Sequence, residues 1–309
     1  MPPAVLVSCR HFAGSCRPGV ARGRWLQTKN FKVLSETLSV TVGPGRLRPV
    51  LFVHGNSSCA AVWRNQLAAV NQQGHAVIAP DLPGHGRSAN SPTPGDTYSF
   101  PGYAAVLSAL LDRLGIASVT VVGWSLGGHV GLEFMATDRR VNALLIFGTP
   151  PVPLCQAALA EAFYPTASMN LAGKPDFSEA EALAYGTATL GGRQQLTADL
   201  LAGIRRTDGA ARQMLFVSAL AGVGVNQRRL VDSSLEPLCV VHGQHEPFVR
   251  LSYLRSLNYR RLWKNRIFVI PGAGHAPHWQ RPGLFNAVLS EFLACPQSRQ
   301  YDGNLPLQV

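Results

Sequence analysis

The sequence lacks what several broad classes of protein require. No apolar run reaches the roughly 18 residues of a membrane-spanning helix. The six cysteines, Cys9, Cys16, Cys59, Cys155, Cys239 and Cys295, form no CxxC pair and no regular framework. Reduced thiols are therefore expected rather than a disulfide scaffold. Charged residues make up only 15% of the chain against 46% apolar residues, which argues against disorder and supplies a sizeable core. Acids are missing altogether before Glu36.

That last absence accounts for much of the formal charge of +11. Arg10, Arg17, Arg22, Arg24 and Lys29 place five positive charges in the first 30 residues. The other basic residues are scattered, apart from pairs such as Arg205–Arg206 and Arg260–Arg261, and form no basic helix. A solvated basic face explains them, and no nucleic-acid partner is expected. An acid-free, arginine-bearing start has the composition of an organelle-targeting segment, or of a tail outside the fold. Residues 1–30 are set apart as an N-terminal extension without assigned chemistry. The protein is expected in the cytoplasm unless that extension directs it to an organelle.

From about residue 31, strand and helix patterns alternate. VLSETLSVTV (33–42) has the two-residue period of a hairpin strand, and VLFVHG (50–55) and HAVIAPD (75–81) read as buried parallel strands. A helix pattern over 97–115 ends at a glycine, followed by strand 118–123, helix 125–136 and strand 141–148. Residues 154–229 change texture, to small-residue helical segments broken by Gly and Pro. Strands resume with PLCVVHG (237–243) and RIFVIPG (266–272). This predicts an α/β core over 31–150 and 230–295, with a mostly parallel sheet flanked by helices. Residues 151–229 form a helical lid insertion and 296–309 a C-terminal tail. Ligands of such sheets sit at the C-terminal strand ends, under such a lid.

The strongest local signal is Gly123-Trp124-Ser125-Leu126-Gly127, immediately after a β-branched strand and opening a helix. In that context G-x-S-x-G is a nucleophile elbow, with Ser125 at the helix N-terminus, where developing negative charge is favoured. An elbow serine needs a base, an orienting acid and an oxyanion hole, with the chain order Ser, acid, His. His275, just past the last strand, is the base in preference to His278. The N–H groups of Leu126 and Asn56 are the oxyanion donors. His54, Asp81, His85 and Arg87 are read as loop stabilisers near the site.

The acid falls in Gly243-Gln244-His245-Glu246, where a G-x-x-D pattern is usual. Glu246 is chemically adequate, because the carboxylate need only accept the imidazole N–H. The HxxH pairs His242/His245 and His275/His278 raise a metal alternative, but their spacing at strand ends does not fix one face, and a metal would leave the serine elbow unexplained. No metal and no organic cofactor are expected.

HGNSS, DLPGHGRS, GWSLGGH and GAGHAP together resemble the α/β-hydrolase superfamily over about 45–293. The segments GWSLGGHVGLE, FGTPPV, RTDGAAR, NQRRLV and HEPFV narrow the resemblance to the serine-type, metal-independent N-acyl-homoserine lactonases of that fold. The resemblance implies a triad glutamate followed by Pro-Phe-Val, matched by Glu246, and a lid tyrosine, for which Tyr185 is the candidate. It departs from the family pattern at Gln280, where many relatives carry Glu.

The implied activity is hydrolysis of N-acyl-homoserine lactones, small molecules with an apolar acyl chain, through a Ser125-His275-Glu246 triad and an acyl-enzyme. Trp124, Phe163, Tyr185 and Phe248 are candidates to line the acyl pocket. The alternatives are a general carboxylesterase, amidase or peptidase of the same fold, and a non-catalytic receptor for a small-molecule signal.

Overall fold

The computed structural model describes residues 26–295. Most of the expected N-terminal extension and the whole expected C-terminal tail lie outside the described residues. Eight strands form one sheet: β1 (Gln27–Val33), β2 (Glu36–Gly43), β3 (Leu47–Val53), β4 (His75–Pro80), β5 (Val119–Trp124), β6 (Val141–Phe147), β7 (Leu238–Gly243) and β8 (Phe268–Ile270). Their order across the sheet is β1-β2-β4-β3-β5-β6-β7-β8. Pairing is antiparallel between β1 and β2 and between β2 and β4, and parallel from β4 through β8.

Two boundaries differ from the sequence reading. VLSETLSVTV is not one strand: Leu34, at φ 53°, turns the chain between β1 and β2. And β1 starts at Gln27, inside the segment set apart as an extension. Its first residues, Gln-Thr-Lys-Asn, remain exposed or half-buried on the sheet edge, and only Phe31 and Val33 reach the core. An edge strand polar at its start carries little hydrophobic period, so the pattern was not visible before residue 31.

Between the strands run helices α1 (Arg64–Gln72), α2 (Pro94–Thr97), α3 (Phe100–Arg113) and α4 (Leu126–Thr137). The predicted helix over 97–115 is interrupted after α2. Ser99 turns extended there, and its hydroxyl accepts the Gly102 N–H at 3.0 Å, which caps α3. Six further helices lie between β6 and β7: α5 (Gln156–Ala162), α6 (Ala167–Leu171), α7 (Glu179–Leu190), α8 (Ala198–Arg206), α9 (Gly209–Leu220) and α10 (Gln227–Ser233). The chain closes with α11 (Leu251–Ser256), α12 (Pro277–Gln280) and α13 (Pro282–Ala294).

The two-residue period of the central strands sorts their side chains onto two cores. Leu51, Val53, Val121, Leu144 and Ile146 pack with α3 and α4 on one face. Val50, Phe52, Val122, Leu145 and Phe147 pack with α1 and α13 on the other. Each such buried Leu, Ile, Val or Phe contributes about 1.5–3 kcal/mol relative to exposure. A parallel sheet covered on both faces needs strands that are apolar throughout, which is why β5, β6 and β7 are buried at every residue. The helices α5–α9 sit over the C-terminal strand ends. Asn56 Nδ2, just after β3, donates to the Ala172 carbonyl of this layer at 2.7 Å.

Candidate active site

Ser125 follows β5 and opens α4 with φ 54° and ψ −116°, a strained conformation for a residue with a side chain. The surroundings hold it there. Its N–H donates to the Phe147 carbonyl at 2.9 Å, and its own carbonyl accepts from Gly128 N at 2.9 Å and from the Thr149 hydroxyl at 2.8 Å. The flanking glycines answer to space rather than to dihedral freedom. A Cβ at Gly127 would lie 2.0 Å from the Val53 carbonyl oxygen, and one at Gly123 would lie 2.3 Å from that of Gly127. Leu126 is the first residue of α4, so its N–H has no acceptor within the helix.

His275 and Glu246 meet although 29 positions apart. The imidazole Nδ1 lies 3.0 and 2.9 Å from the two oxygens of the Glu246 carboxylate, and the Phe248 N–H donates to Oε1 at 2.9 Å. Burial pushes the Glu246 carboxyl up, but His275, Phe248 N–H and His242 outweigh it and hold the group below its ordinary value. With Nδ1 donating to the carboxylate, Nε2 is left as a free lone pair.

The loop carrying His275 is fastened on several sides. Trp124 Nε1 donates to the His275 carbonyl at 2.8 Å, and the Gln280 side-chain oxygen accepts Gly274 N–H at 2.7 Å. Phe248 meets the His275 ring edge-on at 4.8 Å between centroids. Gln280, noted as a departure from the family pattern, thus orders the loop through an uncharged acceptor.

Ser125, Leu126, Asn56, Phe163, Tyr185, Phe248 and His275 all line one cavity of about 390 Å³ under the helical layer. Trp124 does not, which corrects its reading as a substrate-facing residue. Strand alternation sends its side chain to the core of α1 and α13, beneath the His275 loop. The Tyr185 hydroxyl reaches the Asn56 carbonyl at 3.4 Å, so the helical layer touches the loop after β3.

The remaining histidines divide by environment. His54 Nδ1 donates to the Gly55 carbonyl at 2.8 Å, and Nε2 accepts the Leu82 N–H at 3.0 Å, so both ring nitrogens hold loops. Asp81 does likewise, accepting Ala60 N–H and Arg87 N–H at 2.6 and 2.9 Å, and His85 Nδ1 donates to Pro83. His278 is fully buried against Trp63, Trp124 and Phe147, and burial holds it far below its ordinary pKa. His242 is buried on β7 while His245 is exposed. Among the described residues, no three His, Cys, Asp or Glu side chains gather to hold a metal ion, and no helix is long and apolar enough to cross a membrane.

Two residues, one lining the cavity and one behind it, carried no assignment from sequence. His129 lies four positions beyond Ser125, in the first turns of α4, and lines the cavity. Arg212, in RTDGAAR, is buried and donates to the carbonyls of Lys174 and Pro175 at 2.9 and 2.7 Å and to the Ser57 hydroxyl at 3.4 Å. Its guanidinium also lies 4.2 Å over the Phe177 ring. It pins the helical layer to the loop after β3, a role no local pattern announces.

A family model described as the alpha/beta hydrolase fold matches residues 48–282. Among solved structures, a glutamate variant of the N-acyl homoserine lactonase AidH, complexed with N-hexanoyl homoserine, is 37% identical with a TM-score of 0.85. That match covers 89% of this chain and 99% of the other. A serine variant of AidH complexed with N-hexanoyl homoserine lactone is also 37% identical, with a TM-score of 0.83 and coverage of 86% and 97%. Haloalkane dehalogenase from Psychrobacter cryohalolentis is 32% identical over 121 residues, which are 39% of this chain and only 40% of the dehalogenase.

Proposed function

The chain belongs to the α/β-hydrolase fold family of hydrolytic enzymes, and on that premise we propose that it opens the lactone ring of N-acyl-homoserine lactones. The observation that carries this reading is the Glu246-bound His275 facing the same apolar cavity as the elbow serine. The likeness to a lactonase over nearly its full length supports the choice of substrate.

His275 Nε2 takes the proton of Ser125 Oγ, which attacks the lactone carbonyl. The tetrahedral oxyanion is held by the N–H groups of Leu126 and Asn56, each worth roughly 3–4 kcal/mol in comparable sites. Glu246 fixes the imidazole tautomer and stabilises the imidazolium. Collapse breaks the ring C–O bond, and His275 protonates the departing alkoxide, which remains tethered as the homoserine hydroxyl. Water, deprotonated by His275, then attacks the acyl-enzyme and releases N-acyl-homoserine, while the proton returns to Ser125. The acyl chain lies among Phe163, Phe248 and the other apolar residues of the cavity. Ring opening of this kind silences a lactone signal, a quorum-quenching activity.

Mass spectrometry of the products tests the proposal. Gain of one water without fragmentation is the lactonase outcome. Free homoserine lactone plus a fatty acid would mean an amidase, turnover of p-nitrophenyl esters alone would mean a general esterase, and binding without turnover would mean a receptor.

A further inference from the structure

Among the polar side chains that line the cavity, His129 takes no part in the chemistry above. His129 follows Ser125 by one helical turn, and its backbone N–H donates to the Ser125 carbonyl at 3.2 Å. Both residues line the cavity. The ring is only 9% exposed and is held in one orientation. Phe100 stacks on it at 5.2 Å between centroids and 23° between planes.

The partner of Nδ1 settles which nitrogen carries the proton. Nδ1 lies 2.8 Å from Oε1 of Gln227, a residue of α10 with no solvent exposure. The Gln227 amide nitrogen donates to the His129 backbone carbonyl at 3.5 Å. That contact needs the NH₂ on the carbonyl side, so the amide oxygen faces the imidazole and Nδ1 must be the donor. Nε2 is then a lone pair, and no described residue donates to it. Burial keeps the ring neutral, with its pKa pushed down to about 4 against the opposing Gln227 bond. His129 is therefore a fixed hydrogen-bond acceptor beside Phe100 and Leu215, which offer the same cavity no polar atom.

We propose that His129 reads the acyl chain for a hydroxyl donor, favouring N-acyl-homoserine lactones that carry a hydroxyl on the third acyl carbon. This deepens the lactonase reading and rests on it. The third acyl carbon is five bonds from the lactone carbonyl carbon, a reach on the order of one helical turn of about 5.4 Å. A hydroxyl there satisfies the lone pair. A plain methylene leaves a buried acceptor unpaired, and a keto oxygen opposes one acceptor with another.

The test is kcat/KM for N-(3-hydroxyhexanoyl)-, N-(3-oxohexanoyl)- and N-hexanoyl-homoserine lactone with the wild type, His129→Leu and Gln227→Met. Equilibrium binding of the same three compounds to Ser125→Ala is measured alongside. The wild type is expected to favour the hydroxy compound about ten-fold over the plain one, chiefly in KM and in binding. His129→Leu should bring that ratio to within about two-fold, by removing the acceptor. Gln227→Met keeps the ring, frees it to carry the proton on Nε2, and should shift preference towards the keto compound. It also serves should the leucine variant fail to fold. Ratios unchanged by either substitution overturn the inference while leaving ring opening intact. An equal loss for all three lactones in His129→Leu also overturns it, because the partner would then be the amide N–H common to them. No turnover of any lactone by the wild type defeats the underlying reading, and this one with it.

Discussion

Strand β5 is buried along its whole length, whereas α6 in the helical layer buries no residue fully, and the turn after β5 and α6 itself both contribute walls to the same cavity. The sheet side presents Ser125, Leu126 and His275 from strand ends whose backbone is fixed by ladder hydrogen bonds and by close glycine contacts. The helical side presents Met169, Tyr185, Leu215 and Phe216 from short helices joined by Gly- and Pro-containing turns. That side is tied down by a few polar bonds such as those of Arg212, Tyr185 and Asn56. Reacting groups need placement to a fraction of an ångström, which a two-faced core supplies. A wall that receives a flexible chain needs an apolar surface and tolerates local movement.

Substitutions should therefore separate rate from fit. The largest effect is expected from Ser125→Ala, with kcat lower by about 10⁶, KM little changed and the melting temperature no lower, since alanine keeps the same Cβ and the same backbone bonds. Wild-type-like turnover in a stopped-flow or endpoint assay would remove the nucleophile assignment.

Next comes Glu246→Gln, with kcat lower by roughly 10⁴ because an amide does not stabilise the imidazolium. Glu246→Asp should retain part of the activity. The folded carboxyl titrates below its unfolded value of 4.5, so it contributes stability above that pH and loses the contribution as pH falls through the lower folded value. Acid unfolding curves of wild type and Glu246→Gln should converge below that range.

Arg212→Met addresses the helical side. Carbonyls of Lys174 and Pro175 lose their donor, at a cost of about 3 kcal/mol in chemical denaturation. KM should rise while kcat in saturated enzyme falls less than ten-fold; a collapse of kcat with unchanged KM would erase the proposed division between the two walls.

The smallest effect is expected at His278→Phe. Below its unfolded value of 6.5 the chain takes up a proton on unfolding that the buried ring refuses, so His278 lowers stability as pH falls. Phe at this apolar site should be nearly neutral in stability at pH 8 and more stable than wild type at pH 5 by about 2 kcal/mol. Equal pH slopes for the two proteins would contradict the buried, neutral ring.

The elements that could be read from the chain are those with local causes. The α/β class with its mostly parallel sheet followed from β-branched runs alternating with helical periods, and the elbow from Gly123 and Gly127 around Ser125. The readings that failed have non-local causes. Trp124 is an aromatic candidate for the acyl pocket by residue type alone, but alternation along β5 turns it to the other sheet face. Residues 27–30 were set outside the fold because their strand draws its order from pairing with β2 rather than from its own apolar residues. Arg212 appeared only as part of a motif, since its acceptors are 37 and 38 positions away.

By itself the sequence determined the strand–helix alternation and the tight turn that carries Ser125. Each depends on residues within a few positions of one another, where sterics and periodicity act directly. Only the tertiary structure decided that His275 and Glu246 meet at 2.9 Å, that Trp124 lies under the site rather than in it, and that Gln227 fixes the proton on His129. Those facts arise where distant segments pack together, and packing geometry is a property of the assembled sheet and helices rather than of any one stretch of chain.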